Sequence, residues 1–191
     1  MTIVCIDGNI GSGKSTLIKS LKKSWTCFTE PIDKWSLLPF LYEDMLKYAS
    51  VFHYQVLLSF WDQFNEFKNI NDIVIIERCP WTVKNIFVEM IKHNYMKPYM
   101  VEAFNDMYNI LSYDIDYYIY LDVSTDVAMK RIISRDRFAE RNIQRNYIEA
   151  LHNQYIMTIP FIKCKKYEIN ADKSIAYVED EVIKILTDIK C

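Results

Sequence analysis

The sequence predicts an α/β fold with a parallel sheet, and two observations carry this prediction. Short β-branched or aromatic runs, typical of buried strands, alternate along the chain with longer segments of helical periodicity. Strands that alternate with helices need crossover connections, which favour parallel pairing with helices on both faces of the sheet. No repeat, low-complexity tract or Gly/Ser-rich linker divides the chain, so we expect a single domain over residues 1–191.

The elements follow from these patterns in chain order. The predicted strands are Thr2–Ile6, Cys27–Thr29, Ile73–Ile76, Tyr117–Leu121 and Tyr167–Ile169. The predicted helices are Lys14–Lys23, Leu37–Tyr48, Phe52–Phe67, Thr82–His93, Pro98–Leu111, Val127–Ser134, Tyr147–Tyr155 and Ile175–Ile189. Ligands of such sheets bind beyond the carboxyl ends of the strands, so residues that follow a strand are the first candidates for a site.

Composition excludes several classes of partner. Acidic and basic residues are mixed along the chain and the formal net charge is −2, so no strong field attracts nucleic acid or an anionic membrane. The five cysteines are odd in number and lack C-x-x-C spacing, which argues against a disulfide framework and a zinc site. No uncharged stretch reaches the ~18 residues of a membrane span. We expect a cytoplasmic protein with small-molecule partners, bound neither to nucleic acid nor to a membrane.

All three glycines of the chain lie in one segment, DGNIGSGKST (residues 7–16), between the first predicted strand and helix. Gly8, Gly13, Lys14 and Ser15 satisfy G-x-x-x-x-G-K-[ST], the pattern of a phosphate-binding loop. Its backbone N–H groups bind phosphate, its lysine reaches the outer phosphates and its hydroxyl coordinates Mg²⁺. The candidate nucleotide-binding residues here are Gly8, Asn9, Ile10, Gly11, Ser12, Gly13, Lys14, Ser15 and Thr16.

Charged residues follow the next two predicted strands. Glu30 comes after the second strand in TEPIDKW, and Glu77 and Arg78 come after the third in IIERC. A carboxylate beside a bound hydroxyl can accept its proton, an arginine can hold that carboxylate in line, and a second carboxylate can bind Mg²⁺. A carboxylate at a strand end is also commonly a solvated loop residue. The presence of two beside a phosphate-binding loop favours a functional role.

A later segment, RIISRDRFAER (residues 131–141), carries three arginines near its start, Arg131, Arg135 and Arg137. Arginines beside a triphosphate can neutralise charge on the transferring group. A charge run on a helix is also often a solvated face, and both interpretations stay open for this segment.

With GNIGSGKS, TEPIDKW, FHYQ, IIERC and RIISRDR in this order, the chain resembles the deoxyribonucleoside kinase family over nearly its whole length. The resemblance implies a P-loop kinase fold: a five-stranded parallel sheet with helices on both faces and an arginine-bearing lid at about 135–146. It implies an enzyme that moves the γ-phosphate of ATP, with Mg²⁺, to the 5′-hydroxyl of a deoxyribonucleoside in nucleotide salvage. It also implies a homodimer packed through helices.

On matching positions the resemblance assigns catalytic and metal-binding roles to single residues. Glu30 becomes the general base and Arg78 its hydrogen-bonding partner. Lys14 is the lysine of the phosphate-binding loop, and Ser15 and Glu77 fall where the family handles Mg²⁺. The lid arginines that close over the phosphates are Arg131, Arg135 and Arg137.

The resemblance also implies a nucleoside pocket to which Glu30 and Arg78 contribute. Gln55 of FHYQ would read the base edge through its amide, and Phe87 would stack on the base. The pair that holds the sugar 3′-hydroxyl is Tyr42 and Glu140. The other implied pocket residues are Trp35, Tyr54, Leu58 and Val83.

Several features depart from the family pattern. Cys79 replaces the usual serine, Ala139 replaces the first lid glutamate, and two extra residues separate Tyr42 from Gln55. The three histidines, which lack ligand-like spacing, are interpreted as structural or solvated: His53, His93 and His152.

Two further positions bear on base choice. Members of the deoxyribonucleoside kinase family that accept deoxycytidine or purines commonly carry an arginine at the position of Asp62 and an aspartate at the position of Val83. Valine cannot form a hydrogen bond, and we expect Asp62 to face solvent or a lysine, because a buried unpaired charge is costly. We predict a pyrimidine preference with thymidine favoured.

Two other functions share the phosphate-binding loop. A nucleoside monophosphate kinase such as thymidylate kinase needs cations for its acceptor phosphate, which a carboxylate at Glu30 would repel. A regulatory NTP-binding switch would not explain Glu30 or Gln55, and the chain lacks an N-K-x-D guanine signature.

Overall fold

The structure, a computed structural model, describes residues 1–137 and 143–190. Five parallel strands form one sheet in the order β2-β3-β1-β4-β5. The strands are β1 (Thr2–Gly8), β2 (Thr26–Phe28), β3 (Ile73–Glu77), β4 (Tyr117–Asp122) and β5 (Lys165–Asn170). The prediction of an α/β fold built on a five-stranded parallel sheet is confirmed.

Helices cover both faces of this sheet. They are α1 (Lys14–Leu21), α2 (Leu38–Leu41), α3 (Met45–Phe67), α4 (Pro80–Thr82), α5 (Glu89–Tyr95), α6 (Pro98–Leu111), α7 (Thr125–Arg135), α8 (Arg145–Thr158) and α9 (Ile175–Lys190). A π-helical segment (Val83–Val88) joins α4 to α5, and 3₁₀ turns lie at Ile32–Lys34 and Ile159–Phe161. None of the helices within these ranges is both long and apolar enough to cross a membrane.

The predicted helix Leu37–Tyr48 is interrupted, and its last four residues belong to α3. Asp44 is the reason, because its carboxylate accepts a hydrogen bond from the backbone N–H of Lys47 at 3.1 Å and so caps a new helix. α3 therefore begins at Met45, seven residues before the predicted start at Phe52. Its apolar spacing orients one face of the helix toward the interior.

The core has one layer on each face of the sheet, because alternate strand residues point to opposite sides. Val4 and Ile6 of β1 pack on one face with α1 and α9, whereas Ile3 and Cys5 pack on the other with Tyr155 of α8. A third apolar cluster joins α3 and α6 beyond the sheet. The carboxyl ends of β1, β2 and β3 remain at one uncovered edge, where their following loops meet.

Candidate active site

The loop after β1 forms a tight turn against α7. Gly11 and Gly13 adopt φ values of 83° and 99°, a left-handed backbone that side chains strain. A Cβ added at Gly11 would lie only 2.6 Å from the carbonyl oxygen of Ala128, so glycine also permits this close approach. The loop delivers its backbone N–H groups to the N-terminus of α1, where they can bind phosphate.

Lys14 is buried at the centre of this loop. Its Nζ donates hydrogen bonds to the carbonyl oxygens of Gly8 and Asn9, both at 2.9 Å. Burial, together with the charge of Arg78, lowers the pKa of Lys14 to about 8. The ammonium is therefore close to the boundary between charged and neutral at mildly alkaline pH.

Glu30 and Arg78 form a buried ion pair where β2 and β3 end. Nη1 of the arginine lies 2.7 Å from both carboxylate oxygens of Glu30, and each side chain is only 7% exposed. Nη2 donates to the carbonyl oxygen of Gly8 at 3.1 Å, which ties the pair to the phosphate-binding loop. Burial raises the pKa of Glu30, and the charge of Arg78 acts against that rise.

Asp7 is a residue of this site that the sequence reasoning missed. Its fully buried carboxylate accepts hydrogen bonds from the hydroxyls of Tyr118 at 2.6 Å, Tyr155 at 2.8 Å and Thr82. Nε of Arg78 lies 3.4 Å from the same carboxylate. Asp7 thus holds the guanidinium at Nε, while Glu30 holds it at Nη1. The available signal was an acidic residue at the end of an otherwise apolar strand.

Ser15 and Glu77 offer adjacent oxygen donors. The Ser15 hydroxyl donates to Oε1 of Glu77 at 2.7 Å, and Oε2 accepts from the backbone N–H of Glu30 at 3.3 Å. Hydroxyl and carboxylate oxygens suit Mg²⁺, which keeps several water or phosphate ligands. Within residues 1–137 and 143–190, no cluster of three or more His, Cys, Asp or Glu side chains could hold a metal. These two residues fit a Mg²⁺ that is shared with phosphate.

Two cavities meet at the phosphate-binding loop. The first encloses about 770 Å³ including its open mouth, and the second lies across the loop beside Arg131 and Lys173. Gly11 and Arg135 line both cavities. Predicted site residues that line the first cavity are Ile10, Lys14, Ser15, Glu30, Trp35, Tyr42, Glu77, Arg78, Val83, Phe87, Arg135 and Arg137. Those that line the second, besides the two shared residues, are Ser12, Gly13, Thr16 and Arg131.

Other side chains of the predicted site hold the loops in place. Asn9 is buried and donates to the carbonyl oxygen of Ile148 at 2.9 Å. Arg131 donates to the carbonyl oxygen of Ala171 at 2.9 Å, which links α7 to the loop after β5. Phe87 packs against Arg78, whose guanidinium lies 5.1 Å from the ring centre.

Gln55 does not line the cavity, which corrects the prediction that it reads the base. Its Oε1 accepts from the backbone N–H of Leu37 at 3.1 Å, and its Nε2 donates to the Ser36 hydroxyl at 3.0 Å. The amide is therefore bonded to the loop before α2. Helix geometry is the cause, because the face of α3 that meets the cavity belongs to other residues.

Tyr54 and Leu58 are also corrected, since neither lines the cavity. The Tyr54 hydroxyl donates to the carbonyl oxygen of Met100 at 2.7 Å, and its ring stacks on Phe104 of α6. Leu58 is 47% exposed on the outer face of α3. Both positions point away from the cavity because they lie on other faces of the same helix.

The cavity instead receives Phe52, His53 and Val56 from α3 and Tyr147 from α8. Their spacing along α3 is the signal that could have found the first three, because residues three or four apart share a helix face. His53, interpreted from the sequence as structural or solvated, is buried and bonded through Nδ1 to the carbonyl oxygen of Ala49, and it also lines the cavity.

The remaining predictions concern the rim of the site. Asp62 is exposed, and its carboxylate lies 3.9 Å from Nζ of Lys34, as expected. Glu140, the predicted partner of Tyr42, lies outside the described residues, as does Ala139 in the same predicted lid. Cys79 is buried, with its sulfur 3.6 Å from the Thr82 hydroxyl.

A phosphate-binding loop, a buried carboxylate–arginine pair and an adjoining cavity for a small acceptor together define an α/β kinase. The chain belongs to the deoxynucleoside kinase family, whose model matches residues 4–190, and the resemblance inferred from the motifs is confirmed.

Individual relatives agree with this assignment. Protein 143R of Invertebrate iridescent virus 6, provisionally named a kinase, is 50% identical over 161 residues, 83% of each chain. Thymidine kinase 2 of Homo sapiens is 26% identical over 165 residues, 80% of this chain and 62% of that one. The structure of M. mycoides deoxyadenosine kinase with bound dATP superposes with a TM-score of 0.85 at 25% identity, covering 98% of this chain and 100% of that one.

Proposed function

We propose that the protein transfers the γ-phosphate of ATP to the 5′-hydroxyl of a deoxyribonucleoside, with pyrimidines, and thymidine first among them, as favoured substrates. The observation that carries this proposal is the buried Glu30–Arg78 pair beside the phosphate-binding loop. A buried carboxylate there is suited to an uncharged hydroxyl acceptor, whereas it would repel a phosphate acceptor.

Glu30 acts as the general base. Its raised pKa makes it a better proton acceptor than an exposed glutamate, while Arg78 keeps enough of it ionised to react. The 5′-hydroxyl gives its proton to Glu30 as its oxygen attacks the γ-phosphorus, and ADP leaves with the bonding electrons. Nη1 of Arg78 holds both carboxylate oxygens, so the base is fixed before the substrate arrives.

The phosphate passes between the two cavities. The second cavity accepts the ATP, the first accepts the nucleoside, and Gly11 and Arg135 border both at the point of transfer. Lys14 and the lid arginines Arg135 and Arg137 neutralise charge on the transferring group. Mg²⁺, held by Ser15 and Glu77, supplies charge neutralisation on the phosphate oxygens when bound.

Tyr42 is proposed to hold the sugar 3′-hydroxyl. It lines the nucleoside cavity, with its ring centre 6.0 Å from that of Tyr147. We expect Tyr42→Phe to lower kcat/KM for thymidine by about tenfold, because a polar contact to the sugar is lost. The same substitution should lower kcat/KM much less with 3′-deoxythymidine, which lacks the 3′-hydroxyl. Equal losses of kcat/KM for both substrates would refute the contact.

We propose that a second copy of the chain covers an exposed apolar stripe on α3 and α6. Val51 and Leu58 lie seven residues apart on α3, and Tyr99 and Ile110 lie eleven apart on α6, so each pair shares one helix face. The two helices pack together, and all four side chains are exposed. The homodimer that the resemblance implies would bury this stripe.

The dimer proposal predicts the mass of two chains in sedimentation equilibrium at micromolar concentration. Leu58→Glu with Ile110→Glu should shift the mass to one chain, because a buried unpaired charge opposes association. Ile133→Glu, a change at an exposed residue of α7, serves as the control and should leave the dimer intact. A single-chain mass for the unmodified protein would refute the proposal.

Cytoplasmic location, a single domain and a role in salvage belong to the same proposal. The cysteines of the described residues, Cys5, Cys27, Cys79 and Cys164, are free thiols, which supports a reducing compartment.

Product analysis tests the proposed activity. The protein is incubated with ATP, Mg²⁺ and each of the four common deoxynucleosides, and products are separated by chromatography. We expect deoxynucleoside monophosphate and ADP in equal amounts, with the highest kcat/KM for thymidine. Conversion of added monophosphate to diphosphate would indicate a nucleoside monophosphate kinase instead, and ATP hydrolysis alone would indicate a nucleotide switch. A higher kcat/KM for deoxyadenosine or deoxyguanosine would overturn the pyrimidine preference.

A further inference from the structure

His53 is a polar side chain inside the nucleoside cavity that has no role in phosphate transfer. It lies on α3 between Phe52 and Val56, which line the same cavity, and it is only 4% exposed. Gln55, two residues later, is rotated by about 200° around the helix axis. Its amide is bonded to Leu37 and Ser36, so the polar group that α3 presents to the cavity is an imidazole.

The hydrogen bond at Nδ1 determines which ring atom is available to a ligand. Nδ1 lies 2.6 Å from the carbonyl oxygen of Ala49, and a carbonyl can only accept, so Nδ1 carries the hydrogen. Burial lowers the pKa of His53 to about 4, which keeps the ring neutral at neutral pH. Nε2 consequently presents a lone pair, and the hydrogen bond that the ring makes through Nδ1 to Ala49 leaves this lone pair available to a ligand.

Four of the side chains that line this cavity with His53 offer neither a donor nor an acceptor to a base. Phe52, Val56, Val83 and Phe87 are apolar. The indole N–H of Trp35 is already donated to the Ser59 hydroxyl at 2.8 Å. A base in this part of the cavity therefore meets one neutral acceptor in an apolar setting, where an unpaired N–H is costly.

We propose that His53 selects the base, with Nε2 accepting a hydrogen bond from the ring N3–H of a pyrimidine imide, thymine or uracil. This inference rests on the proposed nucleoside acceptor and adds the residue that discriminates among nucleosides. A thymine or uracil linked to its sugar has one N–H hydrogen, which a single acceptor satisfies. Cytosine and adenine each carry two N–H hydrogens on an amino group, and guanine carries three, one on the ring and two on the amino group. At least one of these hydrogens would stay unpaired beside His53.

Substrate analogues test this proposal on the unmodified protein. N3-methylthymidine lacks the donor, so its Kd and its kcat/KM should each be worse than those of thymidine by about tenfold or more. Equal values for the two nucleosides would overturn the proposal. Deoxycytidine binding more tightly than thymidine, with the advantage lost on N4,N4-dimethylation, would also overturn it, because the acceptor would then be reading an amine.

Variants separate the lost hydrogen bond from steric exclusion of the added methyl group. His53→Leu should weaken the binding of thymidine by about tenfold and leave the binding of N3-methylthymidine nearly unchanged. The two nucleosides should then have similar Kd values. His53→Gln places a new acceptor at the site and should recover part of the preference for thymidine. His93→Leu, at an exposed histidine of α5, is the matched control and should behave as the unmodified protein. A preference for thymidine that survives unchanged in His53→Leu would refute the role of His53.

The readouts also distinguish this inference from the proposed function. If none of the four deoxynucleosides is phosphorylated, the kinase proposal fails, whatever the binding data show. If nucleosides are phosphorylated but N3-methylation has no effect, the kinase proposal stands and the role of His53 is refuted. The analogue comparison needs no substitution, so it decides the question even where a His53 variant fails to fold.

Discussion

Glu30→Gln is expected to lower kcat by roughly 10²–10⁴ while leaving ATP affinity nearly intact. Glutamine matches the shape of glutamate and can still accept a hydrogen bond from Arg78, but it cannot take the proton of the attacking hydroxyl. The loss should appear in single-turnover measurements, which report the transfer step rather than product release.

The substitution also removes the charge that faces a buried arginine, so stability needs its own measurement. Breaking a buried ion pair costs about 3–5 kcal/mol when one charge stays unpaired, although Asp7 remains 3.4 Å from Nε of Arg78. Thermal unfolding will show whether the variant is folded at the assay temperature. Glu43→Gln, at an exposed residue, is the control for loss of a carboxylate. Turnover of folded Glu30→Gln near that of the unmodified protein would exclude Glu30 as the base.

Lys14→Ala is expected to lower kcat/KM by about 10²–10³ with every nucleoside tested, because it removes a charge that stabilises the transferring phosphate. Lys14 is 4% exposed and contacts the loop backbone, so its effect does not depend on the base. Lys19→Ala, at an exposed lysine of the same helix, is the matched control. A loss confined to one nucleoside would count against a role at the phosphate.

The lowered pKa of Lys14 also leads us to predict that ATP binding depends on pH. Its pKa of about 8 in the free protein means that the ammonium loses its proton as pH rises above that value. Because triphosphate binds the charged form, ATP affinity should fall between pH 8 and 9.5, and binding in that range should take up protons. Calorimetry in buffers of different ionisation enthalpy measures this uptake, which should be absent in Lys14→Ala.

The parallel sheet and the phosphate-binding loop were predictable because both depend on local sequence. Runs such as TIVCI alternate with helical segments, and the order of these runs restricts the topology. Clustering of all the glycines in one turn signals a backbone that side chains would strain, as the φ values of Gly11 and Gly13 confirm. The positions of Glu30 and Arg78 after their strands also predicted their meeting, since parallel strands end at one edge.

The side of the cavity formed by α3 was not predictable from motifs alone. A four-residue match, FHYQ, indicated Gln55, whereas the rotation of α3 turns His53 inward. That rotation is set by the packing of Phe52, Val56 and Phe60 against the rest of the apolar cluster, and by the new helix start that Asp44 caps. Neither constraint is visible in a motif whose residues point in different directions.

By itself the sequence determined the elements, their order and the chemistry at the ends of the first three strands, because hydrophobic periodicity and turn residues act over short distances. Tertiary structure alone decided which side chains share a cavity. Asp7 meets Tyr118 and Tyr155 across 111 and 148 positions of chain, and His53 rather than Gln55 lines the cavity. Such contacts depend on how whole helices pack on the sheet. A rotation of α3 by two residues therefore exchanges one polar group in the cavity for another without altering the fold.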